Sequence, residues 1–388
     1  MTHSARIQQH ARLHRQDGLS LIELMISMAL GLLLLAAITS LIVSQSSHRD
    51  ELEKSSAQIE NGRYATQVLR EDIEHAGFYG QAYVFNGIPY FVPASGVAAP
   101  DPCITAPTMG AGSLMEAMSI PIQGYNSATA SPVSCLPAAD FVPGTDVLVI
   151  RRAGTDYVAS KAGDIIPTTA TGNVYLQASA ASTVMATGQG ATWGVSGSTF
   201  PLFLDQLKQV PAPVRQYLVH IYFISPCSNP TGPGSGTSNI PTCQASDDGG
   251  NPIPTLMRLE LGSLTSAPST TGWTLTPLVE GIENMQLDYG LDTTPAPPLG
   301  DGYPDGYTSA PPDSLSWSEV MAVRINVLAR NLQCSTGYRD TKTYNLGLST
   351  VVTPTTASAA ACTNGDYKRH VFTELVRAIN PSSRLATQ

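Results

Sequence analysis

The chain has 388 residues, only 13% of them charged, and a formal net charge of −9. That length can bury a sizeable core, while the acidic balance excludes the basic surface that phosphate backbones require, so no nucleic-acid partner is expected. Pro and Gly together supply 62 residues and Ser and Thr are plentiful, which points to a loop-rich body with a nearly neutral surface.

Residues 1–18 read as a leader carrying Arg6, Arg12 and Arg15 against a single acid, Asp17. The apolar run that follows, 19–43, is interrupted only by Ser20, Glu23, Ser27, Gly31, Thr39 and Ser40. As a helix it spans roughly 37 Å, enough to cross a bilayer. The positive flank keeps the leader in the cytoplasm and sends the remainder outward. An ordinary secretory signal has a shorter apolar region and a small-residue cleavage site beyond it. Here the small residue, Gly18, stands immediately before the run. Glu23 is the costly residue: a carboxylate at the centre of a membrane helix costs about 2.5–3.5 kcal/mol and less near the interface, so it calls for a partner. A free amino terminus is the natural one.

Beyond the membrane segment Leu52, Ile59, Ala65, Leu69, Ile73 and Ala76 fall within one arc of about 140° at the helical period. The helix is therefore expected to run over 19–76, with Gly77 as a left-handed cap. A break near 44–48 into two helices is the other reading. Six short runs rich in β-branched and aromatic residues predict strands at 147–151, 217–224, 256–261, 285–289, 320–328 and 371–379. In the fifth, Val323, Ile325 and Val327 alternate with Arg324 and Asn326, the mark of a sheet with one buried and one wetter face. The expected fold class is α+β, a long N-terminal helix packed on a mostly antiparallel β-sheet head with long disulfide-clamped loops. Residues 1–18, 19–77 and 78–388 form leader, helix and exported head, and 82–144 and 153–213 carry too little periodicity to distinguish an inserted subdomain from elaborate loops.

All six cysteines lie after the membrane segment, in an oxidising compartment. Spacing favours neighbours among the 15 complete pairings: Cys103 with Cys135, Cys227 with Cys243, and Cys334 with Cys362. No Cys-x-x-Cys spacing supports zinc. Asp288, Asp292, Asp301 and Asp305, with Gly302 and Gly306, pose two readings: ligands for Ca2+, or a solvated turn. There is no nucleophile elbow, His-Glu-x-x-His or phosphate-cradling loop, and His48, His75, His220 and His370 read as core or surface residues, so neither catalysis nor a cofactor is expected.

The octapeptide 18–25, Gly-Leu-Ser-Leu-Ile-Glu-Leu-Met, resembles the prepilin processing motif of type IV pilins and type II secretion pseudopilins, with Leu19 where Phe is commoner. The resemblance implies cleavage by a prepilin peptidase between Gly18 and Leu19, N-methylation of Leu19, and pairing of Glu23 with the amino terminus of a neighbouring subunit during assembly. Three further stretches, Arg70 to Gly80, Leu278 to Gly290 and Tyr367 to Thr373, resemble the PilW-like minor pilins. They imply a minor pilin that helps initiate type IV pilus assembly and sits at or near the tip, in the inner membrane with a periplasmic head before assembly and at the cell surface after it. Its implied partners are other minor pilins and the major pilin through the N-terminal helix, with a tip adhesin beyond. A minor pseudopilin of a secretion system, and a membrane-tethered periplasmic enzyme or binding protein, are the alternatives.

Overall fold

Leu21–His75 forms one helix, α1, drawn largely from good helix formers and free of proline. It is the longest element of a computed structural model that describes residues 18, 20–80, 92–103, 117–158, 173–179, 182–187, 201–204, 209–234, 240–262, 272–294, 300–348, 350–354, 362 and 365–386. Two compact units divide the chain, Met1–Glu53 and Lys54–Gln388.

In the first unit the membrane-length apolar stretch of α1 is wholly unburied. Its hydroxyls stay satisfied without partners from outside: Ser27 donates to the Glu23 carbonyl at 2.8 Å and Thr39 to that of Leu35 at 2.7 Å. This explains how polar residues interrupt the run without leaving unpaired groups for lipid.

In the second unit the later turns of α1 pack on sheet. The buried face is Gln58, Gly62, Ala65, Thr66, Leu69, Asp72 and Ile73. Leu52 and Ile59, expected in the stripe, are exposed. The correction has a steric cause: at Gly62 the Phe372 ring occupies the space a Cβ would need, so the closest approach falls on a glycine and on the polar Gln58 rather than on the aliphatic residues. Gly77 ends the helix at φ +70°, the left-handed conformation anticipated, and its N–H donates to the Arg151 carbonyl at 3.0 Å.

Seven strands make the first sheet: β1 (Ile122–Tyr125), β2 (Val147–Ala153), β3 (Val174–Ala178), β4 (Thr183–Thr187), β5 (Val214–Ser225), β6 (Thr255–Leu261) and β7 (Trp273–Glu280). β5 is the hub, with β2 on one edge and β3 and β6 successively along the other. Leu148, Ile150, Tyr222 and Ile224 point to the core shared with α1, while Val147, Val149, Ile221 and Phe223 point to a second core on the opposite face. Burial on both faces is why β2 and β5 read as nearly continuous apolar runs.

Gly281, at φ +78°, carries the chain from β7 into the second sheet. A Cβ there would lie 2.7 Å from the Arg330 carbonyl oxygen. The second sheet is antiparallel, ordered β15 (Arg369–Arg377), β10 (Val320–Arg330), β8 (Ile282–Leu291), β9 (Gly306–Thr308). Its inner face, including Met285, Leu287, Val323, Ile325, Val327 and Val376, closes the core beneath α1. Each such fully buried side chain contributes about 1.5–3 kcal/mol. The outer face is drier than expected: Asn326 is buried and accepts from the Thr373 hydroxyl at 3.0 Å, and the hairpin β12 (Tyr344–Leu346) to β13 (Thr350–Val352) lays Tyr344 and Leu346 against Leu328. The strand expected over 371–379 stops at Arg377, and helix α3 (Ile379–Ala386) follows. A five-residue helix, α2 (Ser314–Ser318), precedes β10, and β11 (Ser335–Thr336) forms a short antiparallel pair with β14 (Gly365–Asp366). The architecture is α+β.

Candidate functional site

Gly18 has no heavy atom near the position its Cβ would take, so the backbone at the motif is sterically open. Leu19 lies outside the described residues. The amide of Leu24 donates to the Ser20 carbonyl at 3.1 Å, and Glu23 Oε2 accepts the Ser20 amide at 3.2 Å. Glu23 thus supplies half of a capping box in Ser20-Leu21-Ile22-Glu23, at the helix end where the dipole favours a carboxylate. Helix-capping chemistry already partners this acid with a backbone N–H one turn before it.

The second part of α1 is held to the sheets by a polar contact at almost every turn. Gln58 donates to the carbonyls of Ala329 and Lys368 at 2.8 and 2.9 Å, and Asn61 to that of Glu280 at 3.0 Å. Arg70 pairs with Glu374 at 3.2 Å, and Asn380 of α3 donates to the Ala76 carbonyl at 3.1 Å, capping the end of α1. Between them lies Asp72, buried on the helix face. Its carboxylate receives Arg152 Nε at 2.7 Å, His220 Nδ1 at 2.7 Å and the Tyr222 hydroxyl at 3.0 Å. Burial pushes the Asp72 pKa up, but the His220 and then the Arg152 charges and hydrogen bonds overcome it and hold the group well below the usual carboxylate range. For His220 burial acts downward and is overcome by Asp72 and Glu260, leaving the imidazole raised. A cleft of about 240 Å³ opens beside this cluster. Of the two readings for His220, core or surface, the structure shows a buried residue; its partner Asp72 was not singled out by the sequence, although it stands in the buried stripe, three residues after Leu69 and four before Ala76.

The segments that resemble minor pilins meet at a second cluster. Arg369 donates bidentately to Glu283, Nε to Oε2 at 2.5 Å and Nη2 to Oε1 at 3.1 Å, while its Nη1 reaches Asp340 at 3.0 Å and Asp366 at 3.4 Å. The Arg369 side chain is only 1% exposed. It ties the start of β8 to the start of β15, and through Lys368 to Gln58 of α1.

Disulfides join Cys103 to Cys135, Cys227 to Cys243 and Cys334 to Cys362, the nearest-neighbour pairing. Asp247 approaches the second of them, but its sulfurs are committed to each other. The acidic quartet is not gathered. Asp292 accepts the Gly302 amide at 2.7 Å, Asp301 the Tyr303 amide at 2.9 Å, Asp305 the Thr293 amide at 2.8 Å, and Asp288 the Leu348 amide at 3.1 Å. Each carboxylate caps its own backbone donor, so the structure favours turns over a shared cation.

Two family comparisons bear on these sites. Residues 13–39 match the Prokaryotic N-terminal methylation motif and residues 243–380 match Type IV Pilus-assembly protein W. The chain is PilW-like over the second stretch and carries a prepilin-type motif in the first. The first match encloses Gly18, Leu19 and Glu23; the second encloses the whole four-stranded sheet and Arg369 with its three acids. No curated protein and no solved structure matches the chain. The two matches support a type IV pilus-related, pilin-like protein, and the motif with its apolar helix fits a membrane-anchored pilin with a periplasmic head. That setting implies other pilins and the prepilin peptidase as partners.

Proposed function

We propose that this PilW-like chain is a minor pilin that helps initiate type IV pilus assembly and occupies the tip or its vicinity. The observation that carries this reading is the coincidence, in one chain, of the methylation-motif match at an unburied membrane-length helix and the PilW match over the head. Cleavage between Gly18 and Leu19 removes residues 1–18; the new amine of Leu19 is methylated; residues 19–77 form the helix and 78–388 the head. Glu23 then exchanges its backbone partner for the amino terminus of a neighbouring pilin, a pairing whose low-dielectric surroundings select one register. The protein has a structural role with no chemistry of its own, and the bulk of the head favours a tip position, where an adhesin has room to join it. Before assembly the chain is a single-pass inner-membrane protein, and afterwards part of the surface pilus.

Mass spectrometry of the mature N-terminus tests the proposal: a chain starting at N-methylated Leu19 is expected, and an intact Met1 or a cut after Val43 overturns it. Glu23→Ala is expected to leave a processed membrane protein that does not enter pili. Deletion is expected to abolish piliation and twitching; intact pili with blocked enzyme secretion would assign the chain to a secretion system instead.

A further inference from the structure

The outer strands of the two large sheets differ in how they end. β1, β4 and β9 have four, five and three residues, and β7 carries Pro277 beside an irregularity of register with β6. Short strands, prolines and bulges keep a sheet edge from recruiting foreign chain. β15 has none of these. It runs for nine residues without proline, and its pairing with β10 is unbroken from Arg369 to Arg377. Among the described residues no strand lies on its other side.

The register fixes which backbone groups this edge offers. The Ala378 amide donates to the Met321 carbonyl at 2.9 Å, and the Asn331 amide to that of Lys368 at 3.1 Å. Even-numbered residues of β15 therefore bond to β10, while Val371, Thr373, Leu375 and Arg377 direct N–H and C=O away from it. Among the described residues none of these outward groups has a partner. The charged side chains are engaged elsewhere: Arg369 with its acids, Glu374 with Arg70, and Arg377 with the Ser382 hydroxyl at 2.8 Å. Leu375, in the open stretch, is 58% exposed. By strand alternation it shares the outer face with Thr373, bonded to Asn326, and with Val371, partly buried against Leu328, Tyr344 and Leu346.

Alternating N–H and C=O groups at strand spacing are satisfied by another extended backbone, so the occupant is a strand rather than a helix or a small molecule. Antiparallel pairing with a second copy of β15 turns about an axis normal to the sheet, which reverses the copy's α1 over 54–75. Helices gathered into one pilus bundle run the same way, and this favours a different subunit. On its inner face β15 meets α1 directly, Phe372 at Gly62 and Glu374 at Arg70. A neighbour whose helix lies beside α1 therefore brings its head to this edge.

We propose that β15 receives an extended segment from the head of a neighbouring pilin-type subunit, which joins the four-stranded sheet as a further strand and seats an apolar residue against Leu375. The proposal rests on the minor-pilin reading and names the surface by which the head, apart from the helix, meets its partner.

The test replaces Leu375 of the full chain by photo-reactive p-benzoylphenylalanine in cells that make pili, with processing at Leu19 and recovery in sheared pili measured on the same cells. The expected product is an adduct to a second protein with its own N-terminal methylation motif, the attached peptide lying in that protein's head. Thr373→Pro removes a central outward N–H without breaking a bond to β10, and is expected to lower the adduct yield at least about tenfold. Thr373→Val loses only the hydroxyl and is expected to keep the yield within about twofold. If Thr373→Pro does not fold, amide exchange over 369–377 replaces it: the odd-numbered amides are expected to exchange freely in the detergent-solubilised chain and to be protected in pili. In a processed, pilus-borne chain, the proposal alone is overturned by the absence of an adduct, by an adduct only to a second copy, by a yield indifferent to Thr373→Pro, or by exchange unchanged in pili. A chain neither processed nor recovered in pili overturns the minor-pilin reading and this proposal with it.

Discussion

Arg369 and Arg215 are both buried guanidiniums beside aromatic rings, yet one is paired with acids and the other is not. Arg369 is surrounded by Glu283, Asp340 and Asp366, with both of its forks engaged. Arg215 has only two carbonyls on one nitrogen and an unpartnered Nε. A buried charge is costly unless paired, and a fully paired one fixes geometry rather than offering it to a ligand. The contrast separates a residue that locks β8 to β15 through paired charges from one held by ring contacts and two carbonyls.

The largest effect is expected from breaking the closed cluster. Arg369→Leu leaves three acids without their shared cation, two of them buried, and should destabilise the head by about 3–5 kcal/mol, read as a shift in the denaturant midpoint. A loss below about 1 kcal/mol would mean that water reaches the acids and the cluster is not closed.

Asp72 sharpens the comparison, because its cluster is closed but titratable. Asp72→Asn keeps the shape and loses the charge shared by Arg152 and His220, and about 1–3 kcal/mol is the expected cost near pH 6. The pH dependence has a definite sign. Asp72 is depressed, so its contribution is present above the ordinary value of 3.8 and is lost as pH falls toward its folded pKa. His220 is raised, so its contribution is present below 6.5 and is lost as pH rises through its folded pKa. The parent should therefore exceed His220→Gln in melting temperature most between pH 3.8 and 6.5, with the gap narrowing at higher pH. A gap that widens with rising pH would reverse the assignment. Asp146 adds a slope of the same sign: burial, offset in part by the Ser127 and Leu287 amides, raises it to about 7, so ionising it costs stability as pH rises toward that value.

Much of this was legible in local pattern. The apolar run, the motif around Gly18 and Glu23, the glycine that ends α1 and the cores of β2, β5, β6, β8 and β10 are short-range signals, set by periodicity and by backbone preference. Six cysteines spaced as neighbours also read correctly as three local loops. The edge and hairpin strands β1, β3, β4 and β9 were not legible, since three to five residues show no period and their burial is fixed by the strand beside them. Asp72 was hidden for another reason: an acid on a helix reads as solvent-facing unless Arg152 and His220, 80 and 148 residues away, are known to meet it. Arg215 was equally invisible, its pocket drawing on Phe78, Tyr157, Leu176 and Pro213 from four separated stretches.

The smallest expected effect bears most directly on the contrast between the two arginines. Arg215→Leu removes a cation with no acid to strand. The carbonyls it releases, on Gly154 and Thr155, belong to partly and fully exposed residues that water can reach. Loss of the two ring contacts is set against relief of an unpartnered N–H, so a change within about 1 kcal/mol is expected in the same denaturant titration. A loss as large as that of Arg369→Leu would make Arg215 a structural brace. Near-neutral stability would show that the fold does not depend on this guanidinium.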